Sequence, residues 1–487
     1  MKDKGLILIV GVCCFIAYFL LVKHAMLFML SDAYYYSSLA ESLNQTDHLY
    51  SLTTIPRQPI VTTQNGIVLL QYVCIQLGVD NAAERLYYLS VLCFLVSLFS
   101  LFTIKKLLTD IFYYGKVKTF LVLLAIALNT KWHTSLLQPI NDVFFVFLAV
   151  FYIYIFLIDR IVFSKKVIYF IFISLLITHF RMQALLVFFT AAIVCFYFKN
   201  YKEGITHITL SVVSILSVWV LNYFIVDDYS GIGSITEYFF NNLTIDYLID
   251  SFNTLTNSTL PILFFGTKKL SQYYSTLFAF MIFILFVAGY KSTVNHDKRM
   301  IFIFIFILLN VLLVVIFPSQ TARYLLVVLP FIIILLLDFI PSIPFQKWFL
   351  GAYVTILFFL LSYRVFFSTP DTSLDEGVGL HFDIDYSLNK ENSNKFKHKY
   401  SFEYDLVTET YKGRVTYFLF DKSSVDDQKT SNDRIIYAGT PVFFEYFKKK
   451  LLKEQVTILS EKESNLKFNL SHHLRNDAKI FELKVRY

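Results

Sequence analysis

Long apolar runs alternate with short polar connections along most of the chain. Stretches of roughly 17–25 residues almost free of charge are typical of transmembrane helices, because about 20 apolar residues cross the hydrocarbon core. The first run, 5–22 and on towards residue 30, follows Lys2 and Lys4, and no small-residue cleavage site comes after it. We therefore interpret this run as an uncleaved membrane anchor and not as a signal peptide.

The segment 59–78 decides to which side of the membrane each later loop is assigned. Its apolar core, 67–77, is short and interrupted by polar residues, so we interpret it as an interfacial helix that does not cross. Together with the first run, the later apolar segments predict about eleven spans. These later segments are 86–104, 119–133, 142–158, 167–180, 182–198, 205–226, 275–290, 300–317, 323–340 and 346–363.

The distribution of Lys and Arg favours this assignment. With the amino terminus inside, the inner connections hold most of the basic residues of the short loops, as the positive-inside rule requires. A crossing by 59–78 would invert every later loop and place that basic excess outside. The predicted topology puts three larger segments on the outer side, namely 31–84, 227–274 and the tail 365–487.

The chain is thus predicted to be an all-α polytopic membrane protein with a transmembrane domain over 1–364, interfacial helices in its first outer loop, and a small C-terminal extracytoplasmic α/β domain over 365–487. In the tail, strand-like runs occur at 414–420, 434–437 and 480–485, around a helix-like run at 442–452.

Composition agrees with a membrane protein: 56% of the residues are hydrophobic, 18% aromatic and 16% charged. The net charge of +7 is spread through short loops, so topology explains it better than nucleic-acid binding does. All five cysteines lie in apolar runs and none lies in the tail, which predicts neither a disulfide framework nor a cysteine metal site. We expect no cofactor; a divalent metal stays possible, but no residue pattern supports one.

Several polar residues gather at the predicted outer membrane boundary. Asp32 follows the first span at once, and an ionisable group at membrane depth indicates a functional site, although capping of a following helix is an alternative. Arg181 and Arg323 lie at the outer ends of spans, where a guanidinium suits a lipid phosphate. Simpler interpretations exist for others: Arg85 as an interfacial anchor, Lys131-Trp132-His133 as an aromatic-belt cluster, and Asp142 as a helix cap.

The order of these features resembles the GT-C fold of integral membrane glycosyltransferases that use polyprenyl-phosphate sugars. The resemblance covers roughly residues 1–340, and the frequent Glu after the first Asp of that family is replaced here by Ala33. It is carried by Asp32-Ala33-Tyr34-Tyr35-Tyr36, Pro56-Arg57-Gln58-Pro59, Glu84-Arg85-Leu86, Gln138-Pro139-Ile140-Asn141-Asp142, Phe180-Arg181-Met182-Gln183, and Arg323-Tyr324 through Pro330. Length and the outer C-terminal domain also resemble the phage-type glucosyltransferases that modify O-antigen.

The resemblance implies glycosyl transfer on the outer face of the membrane, and a single carboxylate suits an inverting displacement. Short loops and the absence of cysteines from the polar parts of the outer segments favour a bacterial inner membrane. Asp32 would be the general base, and Arg323, Arg181 and Arg57 would bind the donor phosphate. The implied partners are a polyprenyl-phosphate-linked sugar, a glycan or glycolipid acceptor such as O-antigen or lipopolysaccharide, and membrane lipid, with no nucleic acid. Possible supporting residues are Tyr36, His133, Gln138, Asp142 and Tyr324.

Two other functions stay open at this point. A polysaccharide polymerase or ligase is also polytopic with outer loops, and the loop 227–274 is compatible with one. A membrane transporter would need ionisable residues at the midplane and broken helices. Asn310 and Gly351 are modest indications of that kind, but isolated polar residues in spans more often make helix–helix contacts.

Overall fold

The structure is a computed structural model. It describes residues 4–18, 31–49, 65–79, 82–226, 244–265, 282–291, 294–316, 322–340, 342–366, 433–439, 445, 448, 452, 457–463 and 479–486.

Helices make up nearly all of the described residues before 367. In chain order they are α1 Lys4–Tyr18, α2 Ser31–Thr46, α3 Gly66–Gln76, α4 Ala82–Lys106, α5 Lys116–Leu128, α6 Thr130–Leu136, α7 Asp142–Leu157, α8 Phe163–Phe180, α9 Leu185–Tyr197, α10 Tyr201–Ile225, α11 Ile245–Thr254, α12 Leu260–Phe265, α13 Ile282–Lys291, α14 Lys298–Ile316, α15 Leu329–Phe339 and α16 Ile343–Phe366. Two π-helical segments, Leu107–Ile111 and Leu255–Thr259, and two 3₁₀ turns, Met182–Ala184 and Ala322–Leu325, adjoin them.

Within the described residues, five helices are long and apolar enough to cross a membrane, so the chain is a mostly helical, multi-pass membrane protein. An α-helix suits this setting because it satisfies its backbone hydrogen bonds within the segment. The five segments are Arg85–Ile111, Phe163–Phe180, Tyr201–Ile225, Lys298–Ile316 and Ile343–Ser362. Several other predicted spans are shorter helices, so the total of eleven stays a prediction.

Helix α7 lies at the centre of the bundle. Twelve of its side chains are buried, from Asp142 at its start to Leu157 at its end. It packs against α4, α8 and α9. Phe144 of α7 stacks on Phe180 of α8 with ring centroids 4.7 Å apart, and Tyr152 lies 5.2 Å from the ring of Phe188 on α9. These contacts fix the position at which α7 begins, beside the end of α8.

Helix α3, which falls in the segment 59–78, has 11 residues and is therefore about 16 Å long, roughly half the hydrocarbon thickness. Its first turn lies at the junction of α7 and α8. The Ile67 backbone N–H donates to Asn141 Oδ1 over 3.0 Å, and a Cβ added at Gly66 would lie 2.5 Å from the Phe180 ring. The described part of this segment is therefore a short helix packed on the end of the bundle.

Three side chains have surroundings that differ from the simpler interpretations of the sequence. Arg85 is fully buried and donates to Val79 O and to Ser37 Oγ, both over 3.1 Å, so its interpretation as an interfacial anchor is wrong. Trp132 and His133 are buried as well, and they lie in the short helix α6, which Asn129 caps by accepting from the Trp132 backbone N–H. The aromatic-belt interpretation of this cluster is therefore also wrong.

The described part of the tail contains a three-stranded antiparallel sheet in the order β1-β3-β2. The strands are β1 Asp433–Gly439, β2 Thr457–Glu463 and β3 Lys479–Arg486. The predicted strands at 434–437 and 480–485 are confirmed, β2 was not predicted, and the predicted strand at 414–420 lies outside the described residues. The predicted helix at 442–452 is described as helical at Glu445, Lys448 and Leu452. The boundary at 364/365 and a separate domain over 365–487 stay predictions.

Candidate functional site

Four residues that the sequence singles out meet at the end of the bundle where α7 and α15 begin. Asp142 and Arg181 form a salt bridge, and both side chains are almost completely buried. The Arg181 guanidinium carbon lies 4.4 Å from the centre of the Tyr324 ring, and that of Arg323 lies 5.5 Å from the same centre. Asp142, Arg181, Arg323 and Tyr324 thus form one cluster, which we call the arginine cluster.

The arginine cluster brings two guanidinium groups near one aromatic ring, which attracts cations through its negative face. Asp142 begins α7, where a negative charge also interacts favourably with the helix dipole. Asp142 offsets the charge of Arg181, since a buried cation is costly without a partner. The salt bridge therefore holds Arg181 in place, while Arg323 is half-buried at the 3₁₀ turn.

A second set of polar contacts fixes the turn that carries Arg323 and Tyr324. The Gln183 side-chain amide donates to the Tyr324 carbonyl over 2.8 Å and also to Asn310 Oδ1. The Asn310 amide in turn donates to Phe306 O over 2.7 Å, within its own helix α14. Gln183, in the 3₁₀ turn before α9, therefore connects α14 with the Ala322–Leu325 turn. Asn310 accordingly makes a packing contact between neighbouring segments, as isolated polar residues in spans often do.

Asp32 is the second residue of α2, and the structure describes its place in that helix but not its side chain. The start of α2 packs on α3, because Gln71 donates its side-chain amide to the Ala33 carbonyl over 3.3 Å. Gln71 lies about one helical turn beyond Ile67, which contacts Asn141 next to Asp142. A short series of contacts through α3 therefore leads from the neighbour of Asp32 to the arginine cluster.

The remaining predicted site residues are Arg57, Tyr36, His133 and Gln138. Arg57 lies outside the described residues. Tyr36 is buried between α2 and its neighbours. His133 is buried and its Nε2 lies 2.7 Å from Ala127 O, whereas Gln138 donates to Thr134 O. His133 therefore contacts the end of α5 and Gln138 contacts α6, and α6 itself packs against the turn that holds Arg323.

Sequence reasoning missed the role of Gln183 as the side chain that holds the Tyr324 turn. A signal was present, since Gln183 and Asn310 are isolated polar residues in apolar runs, and such residues bond to one another across membrane helices. The sequence singles out Asn141 but not its role, which is to accept the hydrogen bond from α3. Which isolated polar residues pair with each other depends on the packing of the helices and is absent from a single sequence.

Comparison with known proteins gives two structural neighbours. No protein-family model matches the chain, and no curated protein matches it. Both neighbours are archaeal oligosaccharyltransferases from Archaeoglobus fulgidus, which belong to the GT-C class that the sequence resemblance names.

The first neighbour is the oligosaccharyltransferase AglB in complex with an inhibitory peptide and a dolichol-phosphate. It is 12% identical, has a TM-score of 0.47, and the match covers 85% of this chain and 61% of that one. The second, a complex with Zn and sulfate, is 13% identical with a TM-score of 0.42, covering 83% of this chain and 58% of that one. This chain thus spans about three fifths of each solved chain.

Proposed function

We propose that this protein is an inverting glycosyltransferase that moves a sugar from a polyprenyl-phosphate donor to a glycan or lipid-linked acceptor on the outer face of the membrane. The observation that supports this best is the arginine cluster, which lies at the same end of the bundle as the helix that carries Asp32. A leaving phosphate needs fixed positive charge, and a site shielded from water makes such charge more effective.

In this mechanism Asp32 takes the proton from an acceptor hydroxyl while the hydroxyl oxygen attacks the anomeric carbon of the donor sugar. The bond between that carbon and the phosphate oxygen breaks on the opposite face of the carbon from the attack, so the configuration is inverted. The polyprenyl phosphate leaves with the bonding electrons, and Arg323 stabilises its charge. Arg181 contributes positive charge more weakly, because Asp142 already pairs with it.

The proposed acceptor is a cell-surface glycan or glycolipid, such as O-antigen or lipopolysaccharide, in a bacterial inner membrane. Its support is the resemblance in the sequence to the O-antigen-modifying glucosyltransferases. Arg57 is proposed as a further, weaker donor-phosphate ligand, and its support is the resemblance of Pro56-Arg57-Gln58-Pro59 to the GT-C pattern. We propose that the reaction needs no cofactor or metal.

Replacement of Asp32 tests the proposed base. We expect Asp32→Asn to lower transfer from a synthetic polyprenyl-phosphate hexose by about 10²–10⁴-fold, the range that a general base supplies. The control is Asp47→Asn, which changes an exposed carboxylate just after the same helix. Activity should be measured in membranes that contain equal amounts of folded protein. Wild-type transfer by Asp32→Asn would rule out this role.

Replacement of Arg323 tests donor binding. Loss of a charged hydrogen bond should raise the KM for the donor about ten- to a hundredfold in Arg323→Gln. Arg323→Lys keeps the charge and should recover part of that loss. An unchanged KM in both variants would remove Arg323 from the donor site. If donor use is normal but the product is a longer polymer instead of a singly modified acceptor, the chain is a polysaccharide polymerase.

A further inference from the structure

A second polar site lies at the other end of the bundle, where α7 ends and α14 begins. It is a cleft of about 460 Å³, within the size range of small-molecule pockets. Three sets of residues line it: the π-helical segment after α4, the residues after α7, and the loop before α14. Its charged lining residues are Asp110, Asp159, Arg160, Asp297, Lys298 and Arg299.

The backbone around this cleft has an unusual conformation. Tyr113 has a φ of 54° and His296 a φ of 50°, a left-handed conformation that costs non-glycine residues energy and is common at ligand-binding sites. The segment that leads to Tyr113 is π-helical, which is also frequent at functional sites. The guanidinium of Arg299 lies 5.7 Å from the Tyr113 ring, and His296 Nδ1 lies 3.1 Å from Tyr197 Oη. Side-chain contacts therefore support both strained residues.

Part of the charge in the cleft has an internal structural role. Arg299 binds both oxygens of Asp297 over 3.0 Å and donates to Ile111 O over 2.9 Å. Burial disfavours the Asp297 carboxylate, but its hydrogen bonds with Arg299 outweigh this and lower the pKa of Asp297 below its usual value. Asp297 also caps the first turn of α14, because it accepts from the Arg299 backbone N–H over 2.9 Å. This pair therefore forms a rigid, electrically neutral wall of the cleft.

The other charged side chains add groups of both signs to the lining of the cleft. Asp159 and Arg160 are exposed, and within the described part of the chain neither forms an ion pair. The Lys298 ammonium lies 4.8 Å from the Phe156 ring, and Asp110 accepts from Tyr154 Oη over 3.1 Å. With three carboxylates and three permanent cations, the cleft has no net charge. A simple anion or cation gains little there, whereas a ligand that carries both charges matches both sets.

We propose that this cleft binds a phosphate ester that also carries a primary ammonium group, as the headgroup of a phosphoethanolamine lipid does. The phosphate lies against Arg160 and Lys298, and the ammonium lies against Asp159 and Asp110. Ile111, Leu157 and Ile158 add apolar surface to the same cleft, and they lie at the ends of apolar helices. This places the site at the height of lipid headgroups, away from the arginine cluster and independent of the proposed glycosyl transfer.

The test measures lipid binding to the full chain in detergent by native mass spectrometry. Phosphatidylethanolamine, phosphatidylcholine and phosphatidylglycerol with equal acyl chains are compared with soluble phosphoethanolamine. We expect phosphatidylethanolamine to bind best, because the choline group has no N–H donor and the glycerol group has no positive charge. Soluble phosphoethanolamine that binds as tightly would identify a free solute as the ligand, whereas a large gain from the acyl chains would identify the lipid.

Variants connect this binding to the cleft. Asp159→Asn should weaken phosphatidylethanolamine binding about two- to fivefold, as expected for an exposed charge pair, and leave phosphatidylglycerol unchanged. Arg160→Gln should weaken both lipids by a similar factor. The control is Lys202→Gln, which removes an exposed cation from α10 without changing the cleft lining. Equal binding of the three lipids by the wild type, or binding unaffected by both cleft variants, would overturn the proposal.

Discussion

At the scale of single residues, the buried pair of Asp142 and Arg181 is the contact on which the site depends most. Removing one partner of such a pair leaves a buried charge without compensation, which costs more than the intact pair contributes. The Tyr324 ring beside Arg181 reduces this cost only in part. Function and stability are therefore closely linked at these two positions.

A double-mutant cycle tests the pair directly. We expect Asp142→Asn to lower the free energy of unfolding by about 3–5 kcal/mol, because Arg181 loses its counter-charge in a buried position. Asp142→Asn combined with Arg181→Met should recover much of that loss, since the uncompensated cation is then gone. Thermal unfolding in detergent of the two single variants and the double variant gives the coupling energy. Effects that simply add would show that the pair is not coupled.

The sequence predicts the individual members of the arginine cluster but not how they pair. Both Arg181 and Arg323 were expected to bind the donor phosphate, because each stands at the outer end of a predicted span. In three dimensions Arg181 pairs with Asp142 at the start of α7, whereas Arg323 lies on the separate turn at Ala322–Leu325. The pairing depends on how α7 and α8 pack, and the spacing of Asp142 and Arg181 along the sequence does not predict the distance between their side chains in space.

At the scale of helices, the apolar pattern predicts that a helix exists more reliably than it predicts the residues at which the helix begins and ends. The predicted spans 167–180 and 205–226 correspond to α8 and α10. The predicted span 119–133 is instead two helices, because Asn129 ends α5 and caps α6 with its side chain. The predicted span 323–340 begins as a 3₁₀ turn, and α15 starts only at Leu329 with Pro330 in its first turn. Proline is favoured in the first turn of a helix because the backbone N–H groups there have no partner within the helix, so the missing N–H of proline costs nothing.

The packing of α3 on α8 gives a prediction at this scale. In Gly66→Ala the added methyl group would lie 2.5 Å from the Phe180 ring, which is held by its stack on Phe144. We expect a loss of about 1–3 kcal/mol of stability, as for other overpacked sites. We also expect lower activity, because the start of α2, with Asp32, packs on α3.

Matched variants separate this clash from a general effect of replacing glycine. Gly351→Ala, in α16, has no atom within 4 Å of the added methyl and should be neutral or slightly stabilising. Phe180→Leu in the Gly66→Ala background should restore space and part of the stability. Thermal unfolding followed by size-exclusion chromatography measures all three. A Gly66→Ala protein as stable as the wild type would mean that α3 shifts freely.

At the scale of the whole molecule, the two ends of the bundle differ in their polar groups. One end holds the arginine cluster and the start of α2, and the other holds the cleft with Asp159 and Arg160. The helix α7 connects them, with Asp142 at its start and Asp159 just beyond its end. The proposed topology assigns the first end to the outside and the second to the inside of the cell.

Cysteine labelling in intact cells tests that topology. We expect Asp47→Cys to react with a membrane-impermeant maleimide, because Asp47 is exposed near the arginine-cluster end. Asp159→Cys should react only after the membrane is made permeable. The wild type controls for labelling of the native cysteines, of which Cys14 is exposed. The reverse pattern would place the arginine cluster inside and contradict transfer on the outer face.

The hydrogen bond from Gln183 to the Tyr324 carbonyl has a consequence for the order in which the protein is made. It joins residues 141 positions apart, which a ribosome synthesises over roughly 7–28 s. Asn310, the other partner of Gln183, lies 127 positions after it, so for most of that interval the nascent chain contains Gln183 but neither of its two partners. An amide without a partner is costly in lipid, so this end of α9 must stay near water or beside the insertion machinery until α14 arrives. The proposed catalytic end is therefore among the last parts of the bundle to close.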